Sequence, residues 1–253
     1  MTKKKLAVPV WGTRFGIPAA YVVWVVGAFL AVSQIVGLAV AGMVKLGIPL
    51  GSISRVVLVT LLTVVVYGVT VWLVIWVPKR VWRHATTKRE LGAARLPSWM
   101  DIVLGPVSFL PYLLLSGGLL LVVKSLLPEA NLAEKQELGF STNIFGAELA
   151  FAFILFVIIA PLIEELLFRG YLYGKLRPRV GLIASMLLVS ISFAVLHGQL
   201  NVGIDTFALS IVLCLLREFT GSIWAGVLLH ATKNGLAFYL LFINPSLLST
   251  MGG

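Results

Sequence analysis

The chain has 253 residues, of which 59% are hydrophobic and only 12% are charged, and its mean hydropathy is +1.02. A water-soluble domain carries about a quarter charged residues, so this composition excludes a cytosolic enzyme and a disordered protein. The formal net charge of +10 comes from basic residues clustered between apolar runs, a pattern that indicates membrane orientation and gives no support to a nucleic-acid partner.

Apolar stretches long enough to cross about 30 Å of hydrocarbon, which takes about 20 helical residues, predict an all-α polytopic transmembrane helix bundle of about seven helices. The fourth stretch would be about 50 Å long at 1.5 Å per residue, so it must tilt, kink or protrude. The sixth would reach only about 16 Å, which leaves its crossing of the membrane in question. The predicted spans are Phe15–Val44, Val56–Val77, Ile102–Val123, Ile144–Leu176, Gly181–His197, Thr206–Leu216 and Ser222–Ile243.

The basic residues lie mainly at one end of these predicted helices. Fifteen Lys and Arg residues fall before the first span, in the 79–95 connection, in the 169–179 segment and at Arg217, whereas four fall in the connections assigned to the other side. By the positive-inside rule, this asymmetry predicts an integral multi-pass membrane protein with a cytoplasmic N-terminus.

Ionisable residues inside a span cost several kcal/mol unless they are paired or face water, so the few present here are informative. Glu165 and Arg169 are four residues apart and therefore share a helical face, where they can form an ion pair. Glu164 points about 100° away from that pair, which leaves it free to act as a general base. Pro161 is expected to free the carbonyl of Val157 and to kink the helix beside the carboxylates.

Two further polar groups lie in later predicted spans. His230 and Asn234 are four residues apart, so they can point two donors at one spot, as an oxyanion hole requires. Counted from the cytoplasmic connections, Glu164 would lie about 20 Å deep, His197 about 25 Å and His230 about 14 Å, so helix tilt can bring them to one intramembrane cavity.

Structural explanations compete with these roles. Ion pairs such as Glu165 with Arg169 commonly only satisfy buried charges, and a membrane-embedded histidine often makes a bond between helices. Lys233 is expected to extend to the interface or to pair with Glu148 or Asp205, without a role in the chemistry.

The order Glu-Glu-x-x-x-Arg from Glu164, Phe-x-x-x-His from Phe193 and His-x-x-x-Asn from His230 resembles the CPBP family of intramembrane proteases. That family includes the type II CAAX prenyl endopeptidases and bacteriocin-processing or immunity relatives. The resemblance covers about Ile144 to Phe242, which divides the chain into N-terminal transmembrane helices with a basic loop (1–143) and a catalytic helical core (144–253).

The resemblance implies a role for each matching residue. Glu164 would activate a water molecule, His197 would help to hold it, and His230 with Asn234 would stabilise the oxyanion. Glu165, Arg169 and Phe193 would orient the site.

The leading hypothesis is therefore an intramembrane endopeptidase that cleaves a membrane-associated peptide or a prenylated protein near the cytoplasmic face. The alternatives are a non-proteolytic bacteriocin-immunity or scaffold protein and a proton-coupled transporter. The expected partners are the substrate and the lipid bilayer, and the expected location is a prokaryotic plasma membrane.

A metal site is the remaining alternative for the chemistry. Glu164, His197 and His230 could supply a His₂Glu zinc set. We prefer a reaction without a cofactor, because Asn234 beside His230 fits an oxyanion hole better than a zinc site.

Overall fold

The computed structural model describes residues 16–81, 85–132, 134 and 138–250, without the side chains of residues 81 and 248–250. Five of the fifteen basic residues that predict the orientation, at positions 3, 4, 5, 14 and 83, lie outside the described residues, as does the residue at position 135 among the four assigned to the other side. Phe15, the first residue of the first predicted span, also lies outside them.

Six helical stretches are long and apolar enough to cross a membrane, and the described residues contain no strand. The prediction of an all-α polytopic bundle is confirmed. One stretch, Ala147–Val195, is bent at Gly181, and its two arms are numbered separately below. The helices are α1 (Ile17–Lys45), α2 (Arg55–Arg80), α3 (Trp99–Leu126), α4 (147–180), α5 (181–195), α6 (Leu200–Thr220), α7 (Trp224–Ile243) and the short α8 (Pro245–Thr250).

The bend at Gly181 turns α4 and α5 into a helical hairpin. Gly181 has φ +80° and ψ −178°, a backbone conformation that is essentially confined to glycine. Phe168 on α4 and Phe193 on α5 meet with ring centroids 5.0 Å apart, so the two arms lie side by side. The four-residue connection expected between the fourth and fifth spans is absent, because one glycine makes the turn.

The sixth predicted span was too short. Helix α6 runs over Leu200–Thr220 and, with 21 residues, is about 31 Å long. The prediction was too short because polar residues near both ends of α6 interrupt the apolar run in the sequence. In the fold, these polar residues have partners. Asp205 accepts hydrogen bonds from α3, and Glu218 pairs with Arg177 at 2.6 Å.

The connection between α2 and α3 packs against the ends of α4, α6 and α7. The carbonyl of Gly92 accepts a hydrogen bond from the backbone N–H of Ile223, and Leu91 is buried in the main apolar core. Glu90 accepts from the backbone N–H of Thr87 and pairs with Lys175, and these contacts lower the pKa of Glu90. Residues 87–92 of the basic connection are therefore packed into this end of the bundle.

Helices α3 and α7 cross closely at Gly105. A Cβ added there would lie 2.7 Å from the Cβ of Leu228 and 3.1 Å from the carbonyl oxygen of Ala225. Small residues at such crossings let two helix backbones approach each other in a membrane.

We expect Gly105→Ala to lower the thermal unfolding midpoint of the purified protein in detergent, because the added methyl group forces the two helices apart. The cost should be about 1–3 kcal/mol, as for other overpacked sites. Gly117→Ala on the same helix is the control: nothing lies within 4 Å of that position, and a helical alanine is intrinsically favoured over glycine. Equal midpoints for the two variants would contradict the close crossing.

Candidate active site

A cavity of about 230 Å³ lies among α2, α4, α6 and α7. Four side chains that the sequence nominated as catalytic line it: Glu164, His197, His230 and Asn234. Glu164 lies on α4, His197 in the turn after α5, and His230 with Asn234 on α7, so helix packing brings them to one place as the depth estimates allowed.

The most deeply buried part of the site is an ion pair behind this cavity. Arg169 donates from Nη1 to Oε1 of Glu165 at 2.8 Å, and both side chains are 0% exposed. The same carboxylate oxygen lies 3.3 Å from Nδ1 of His230 on α7. The pairing expected from the four-residue spacing is therefore present, and His230 is a third member of the group.

Glu164 is the carboxylate of the adjacent pair that reaches the cavity. Its side chain is 17% exposed, and its Oε2 lies 3.8 Å from Nε2 of His230. Its other oxygen, Oε1, accepts a hydrogen bond from the hydroxyl of Tyr67 on α2. Glu164 lacks the arginine partner that Glu165 has, as its position on the helix predicted, but Tyr67 holds it in place.

Tyr67 is a site residue that the sequence reasoning missed. It lies in the middle of the apolar α2, where an aromatic residue is ordinarily a packing residue, and it is 6% exposed. The available signal was its hydroxyl, since a buried tyrosine usually needs a hydrogen-bond partner.

The environment of His230 determines which ring nitrogen carries hydrogen. A carboxylate paired with Arg169 can only accept, so the Nδ1 atom that faces Glu165 must donate. In the neutral ring, Nε2 is then an acceptor directed toward Glu164. A ring with hydrogen on both nitrogens would donate to both carboxylates.

His197 and Phe193 form the α5 side of the site. Nδ1 of His197 lies 2.8 Å from the carbonyl oxygen of Phe193, so Nδ1 carries hydrogen and Nε2 of the neutral ring is an acceptor. The Phe193 ring is 4.6 Å from the guanidinium carbon of Arg169 and, between centroids, 5.9 Å from His230. Phe193 thus contacts both the buried ion pair and the two histidines.

A second cavity of about 250 Å³ lies on the other side of Glu164, toward α1. Phe29, Phe168 and Leu196 contribute to its apolar lining. Glu164 and His197 line both cavities, so the carboxylate stands where the two spaces meet.

Asn234 makes a bond that the sequence did not predict. Its Nδ2 donates to the carbonyl oxygen of Phe156 at 2.9 Å. The segment Ile154–Ile159 is π-helical, and the N–H of Ala160 bonds to the carbonyl of Leu155, five residues back. In that register the next carbonyl, Phe156, faces Pro161, which has no N–H.

Pro161 therefore leaves the carbonyl of Phe156 without its helical donor. The sequence prediction named the carbonyl of Val157 instead, because it assumed an uninterrupted α-helix. One amide hydrogen of Asn234 satisfies this carbonyl, and the other is available to the cavity that Asn234 lines.

Gly226 is a second position that the sequence reasoning missed. A Cβ at Gly226 would lie 2.8 Å from Oε2 of Glu165. The absence of a side chain there lets α7 approach the buried carboxylate, and this approach brings His230, one turn further along, against the same group.

The cavity that Asn234 lines extends toward the 127–146 connection. Leu138 lines it, and Phe140 packs on Phe156 and Phe242 with ring centroids 5.9 and 6.3 Å apart. In the orientation predicted from the basic residues, this end of the bundle is external. The sequence hypothesis, in contrast, placed cleavage near the cytoplasmic face.

Within the described part of the chain, no three His, Cys, Asp or Glu side chains are grouped so that they could hold a metal ion. Glu164, His197 and His230 line one cavity without forming such a group. Metal dependence is therefore a matter for direct measurement.

Residues 146–236 match the family model described as type II CAAX prenyl endopeptidase Rce1-like. The matched segment falls within the region of resemblance identified from the sequence and contains all seven nominated site residues, so the family resemblance is confirmed. The matched segment covers less than half of the chain. It excludes α1 to α3, and so it excludes Tyr67 of α2. No curated protein and no solved structure matches the chain.

We expect the purified protein to retain far less than one zinc ion per chain after it has been incubated with zinc and the excess zinc has been removed. The reason is that the three nominated ligands are not grouped around one point. Any histidine tag is cleaved off beforehand. Elemental analysis measures this content, and His230→Ala should give the same value. One zinc ion per wild-type chain that disappears in His230→Ala would instead establish the His₂Glu site.

Proposed function

We propose that this protein is an intramembrane endopeptidase in which Glu164 activates the water that hydrolyses a peptide bond. One observation carries the proposal: of two adjacent carboxylates, Glu165 is buried and paired with Arg169, whereas Glu164 faces a cavity opposite His230. The match of residues 146–236 to CAAX endopeptidases supports the same class of reaction.

In the proposed reaction, Glu164 removes a proton from a water molecule as the water oxygen attacks the carbonyl carbon of the substrate. Tyr67 keeps the carboxylate aimed at the cavity, and the acceptor Nε2 of His197 helps to hold the water. The carbonyl oxygen becomes an oxyanion. The His230 ring, in the form that carries hydrogen on both nitrogens, and the second amide hydrogen of Asn234 donate to it.

The tetrahedral intermediate then collapses and the carbon–nitrogen bond breaks. The proton on Glu164 passes to the leaving nitrogen, so one peptide and one water yield a carboxylic acid and an amine, and Glu164 returns to its ionised form. The acid then gives its proton to the amine, which leaves a carboxylate and an ammonium group. Glu165 and Arg169 do not exchange protons in this scheme; they hold His230 through Nδ1.

The two cavities that meet at Glu164 suit a substrate that passes across the carboxylate. The space toward α1 is largely apolar, whereas the space toward α7 contains the histidines and Asn234. We propose a membrane-associated peptide as the substrate, and a prenylated protein is the specific form to which the family description points.

Replacing Glu164 by Gln should abolish the formation of new peptide termini in membranes of cells that express the protein. An amide of the same shape cannot take the proton from water. Terminal-peptide mass spectrometry compares wild type, Glu164→Gln and the exposed-loop control Glu129→Gln at matched expression. The method detects new termini in any membrane protein, so no substrate has to be chosen beforehand.

Termini made by wild type and by the control, but not by Glu164→Gln, would identify the substrate and the cleavage position. Termini that persist in Glu164→Gln would refute the glutamate mechanism. If wild type makes no termini under any growth condition, the protein is not a protease and the immunity or scaffold hypothesis takes its place.

We expect Tyr67→Phe to reduce turnover of a peptide identified in this way by about tenfold or more, because a hydrogen bond to a charged group is worth about 1.5–3 kcal/mol. Steady-state hydrolysis by the purified protein measures the effect. Tyr239→Phe, at a partly exposed position on α7, is the control and should retain wild-type turnover. Full activity in Tyr67→Phe would exclude a positioning role for the hydroxyl.

A further inference from the structure

Lys233 lines the same cavity as the nominated catalytic residues. It lies on α7, three residues after His230, and its side chain is 19% exposed. Its Nζ is 3.3 Å from Oδ2 of Asp205 on α6, which is the pairing that the sequence allowed. Glu148, the other candidate partner, instead accepts a hydrogen bond from Ser54.

Asp205 is itself held by two donors from α3. The hydroxyl of Tyr112 lies 2.7 Å from its Oδ1, and the Ser116 hydroxyl lies 2.6 Å from the same oxygen. Oδ2 is thereby left to Lys233. Three helices therefore fix the position of the ammonium group at the cavity wall, which is a stronger restraint than a snorkelling lysine would have.

The chemistry of the ammonium group suits an anion in the cavity. It has three N–H donors, and Asp205 occupies one of them in the described structure. Among the described residues that line the cavity, Lys233 is the one lysine or arginine and Glu164 is the one carboxylate. A substrate carboxylate would thus be attracted to the Lys233 side of the cavity and repelled from the Glu164 side.

We propose that Lys233 binds a carboxylate group of the substrate and thereby sets which peptide bond reaches Glu164. This inference rests on the proposed endopeptidase function. Lys233 is about 4.5 Å beyond His230 along the helix axis, and an extended peptide advances about 3.3–3.6 Å per residue. The carboxylate is then about one to three residues from the scissile bond.

A carboxylate in that position comes either from a free C-terminus or from an Asp or Glu side chain. Its contact with Lys233 forms on binding and is unchanged in the transition state. Losing it should therefore raise KM and leave kcat nearly unaltered. A residue that only supports the fold of the site would change both.

The test uses a peptide that contains the cleavage site found by terminal-peptide mass spectrometry, in three forms. The first ends in a free carboxylate about two residues beyond the scissile bond, the second ends in an amide, and the third ends in an amide but carries Asp at the last position. Wild type, Lys233→Met and Lys175→Met are compared in proteoliposomes. Lys175→Met breaks an ion pair with Glu90 at the far end of the bundle and is the matched control.

We expect wild type and Lys175→Met to cleave the free acid with kcat/KM about tenfold or more above that of the plain amide, through KM, as a charged hydrogen bond allows. Lys233→Met should cleave acid and amide alike, at the wild-type rate for the amide. If the Asp peptide is cleaved as fast as the free-acid peptide, Lys233 accepts any carboxylate in that register. If the Asp peptide is cleaved as slowly as the plain amide peptide, Lys233 binds the C-terminal carboxylate.

Equal cleavage of acid and amide by wild type would overturn this inference and leave the endopeptidase intact. Loss of all cleavage in Lys233→Met, with an unchanged unfolding midpoint, would also overturn it, since the lysine would then serve the chemistry. Failure of wild type to cleave any of the three forms would instead count against the proposed function. Asp205→Asn, which keeps the ammonium group, should retain the preference for the acid.

Discussion

The buried ion pair between Glu165 and Arg169 is the constraint on which the rest of the site depends. An isolated charge inside an apolar bundle costs several kcal/mol, so each member of this pair stabilises the fold only while its partner stays in place. Glu165 also contacts His230 of α7, and Arg169 lies over the ring of Phe193 of α5. The pair therefore ties three helices together.

The same constraint explains the different environments of the two adjacent glutamates. Glu165 faces the helix interface, where Gly226 leaves room for its carboxylate. Glu164, one residue earlier, is turned away from that interface into the space between α2 and α7. A carboxylate held in an ion pair and one that lines a cavity can be neighbours in the sequence because a helix separates their directions by about 100°.

The π-helical turns of α4 extend this arrangement to the other side of Glu164. Pro161 cannot donate to the preceding turn, and Asn234 supplies the missing donor from α7. The bond links α7 to α4 a second time, beyond the contact of His230 with Glu165. Asn234 thus stabilises the contact between α7 and α4 with one amide hydrogen. Its second amide hydrogen can donate to an oxyanion, as proposed.

The N-terminal helices complete a site whose nominated residues all lie in the segment that matches the CAAX endopeptidase model. Tyr67 of α2 bonds to Glu164, and Tyr112 and Ser116 of α3 hold the aspartate that fixes Lys233. Hydrogen bonds therefore cross the boundary drawn from the resemblance at residue 143. The N-terminal helices contribute polar groups at two points of the cavity wall as well as apolar packing.

The sequence alone determined the helical class of this protein, the ion pair between Glu165 and Arg169 and the separation of Glu164 from that pair. These features follow from local periodicity: apolar length predicts a span, and a spacing of four residues places two side chains on one helical face. The resemblance to a family added the expected roles of the histidines and Asn234.

The tertiary structure alone decided which distant groups meet. Tyr67 and Gly226 carry no local pattern that marks them, since their importance depends on what another helix places opposite them. The single-residue turn at Gly181, the π-helical register that directs Asn234 to Phe156, and the fixation of Lys233 by Asp205 depend likewise on packing between segments far apart in the chain. Periodicity describes one helix at a time, whereas a cavity is formed by several.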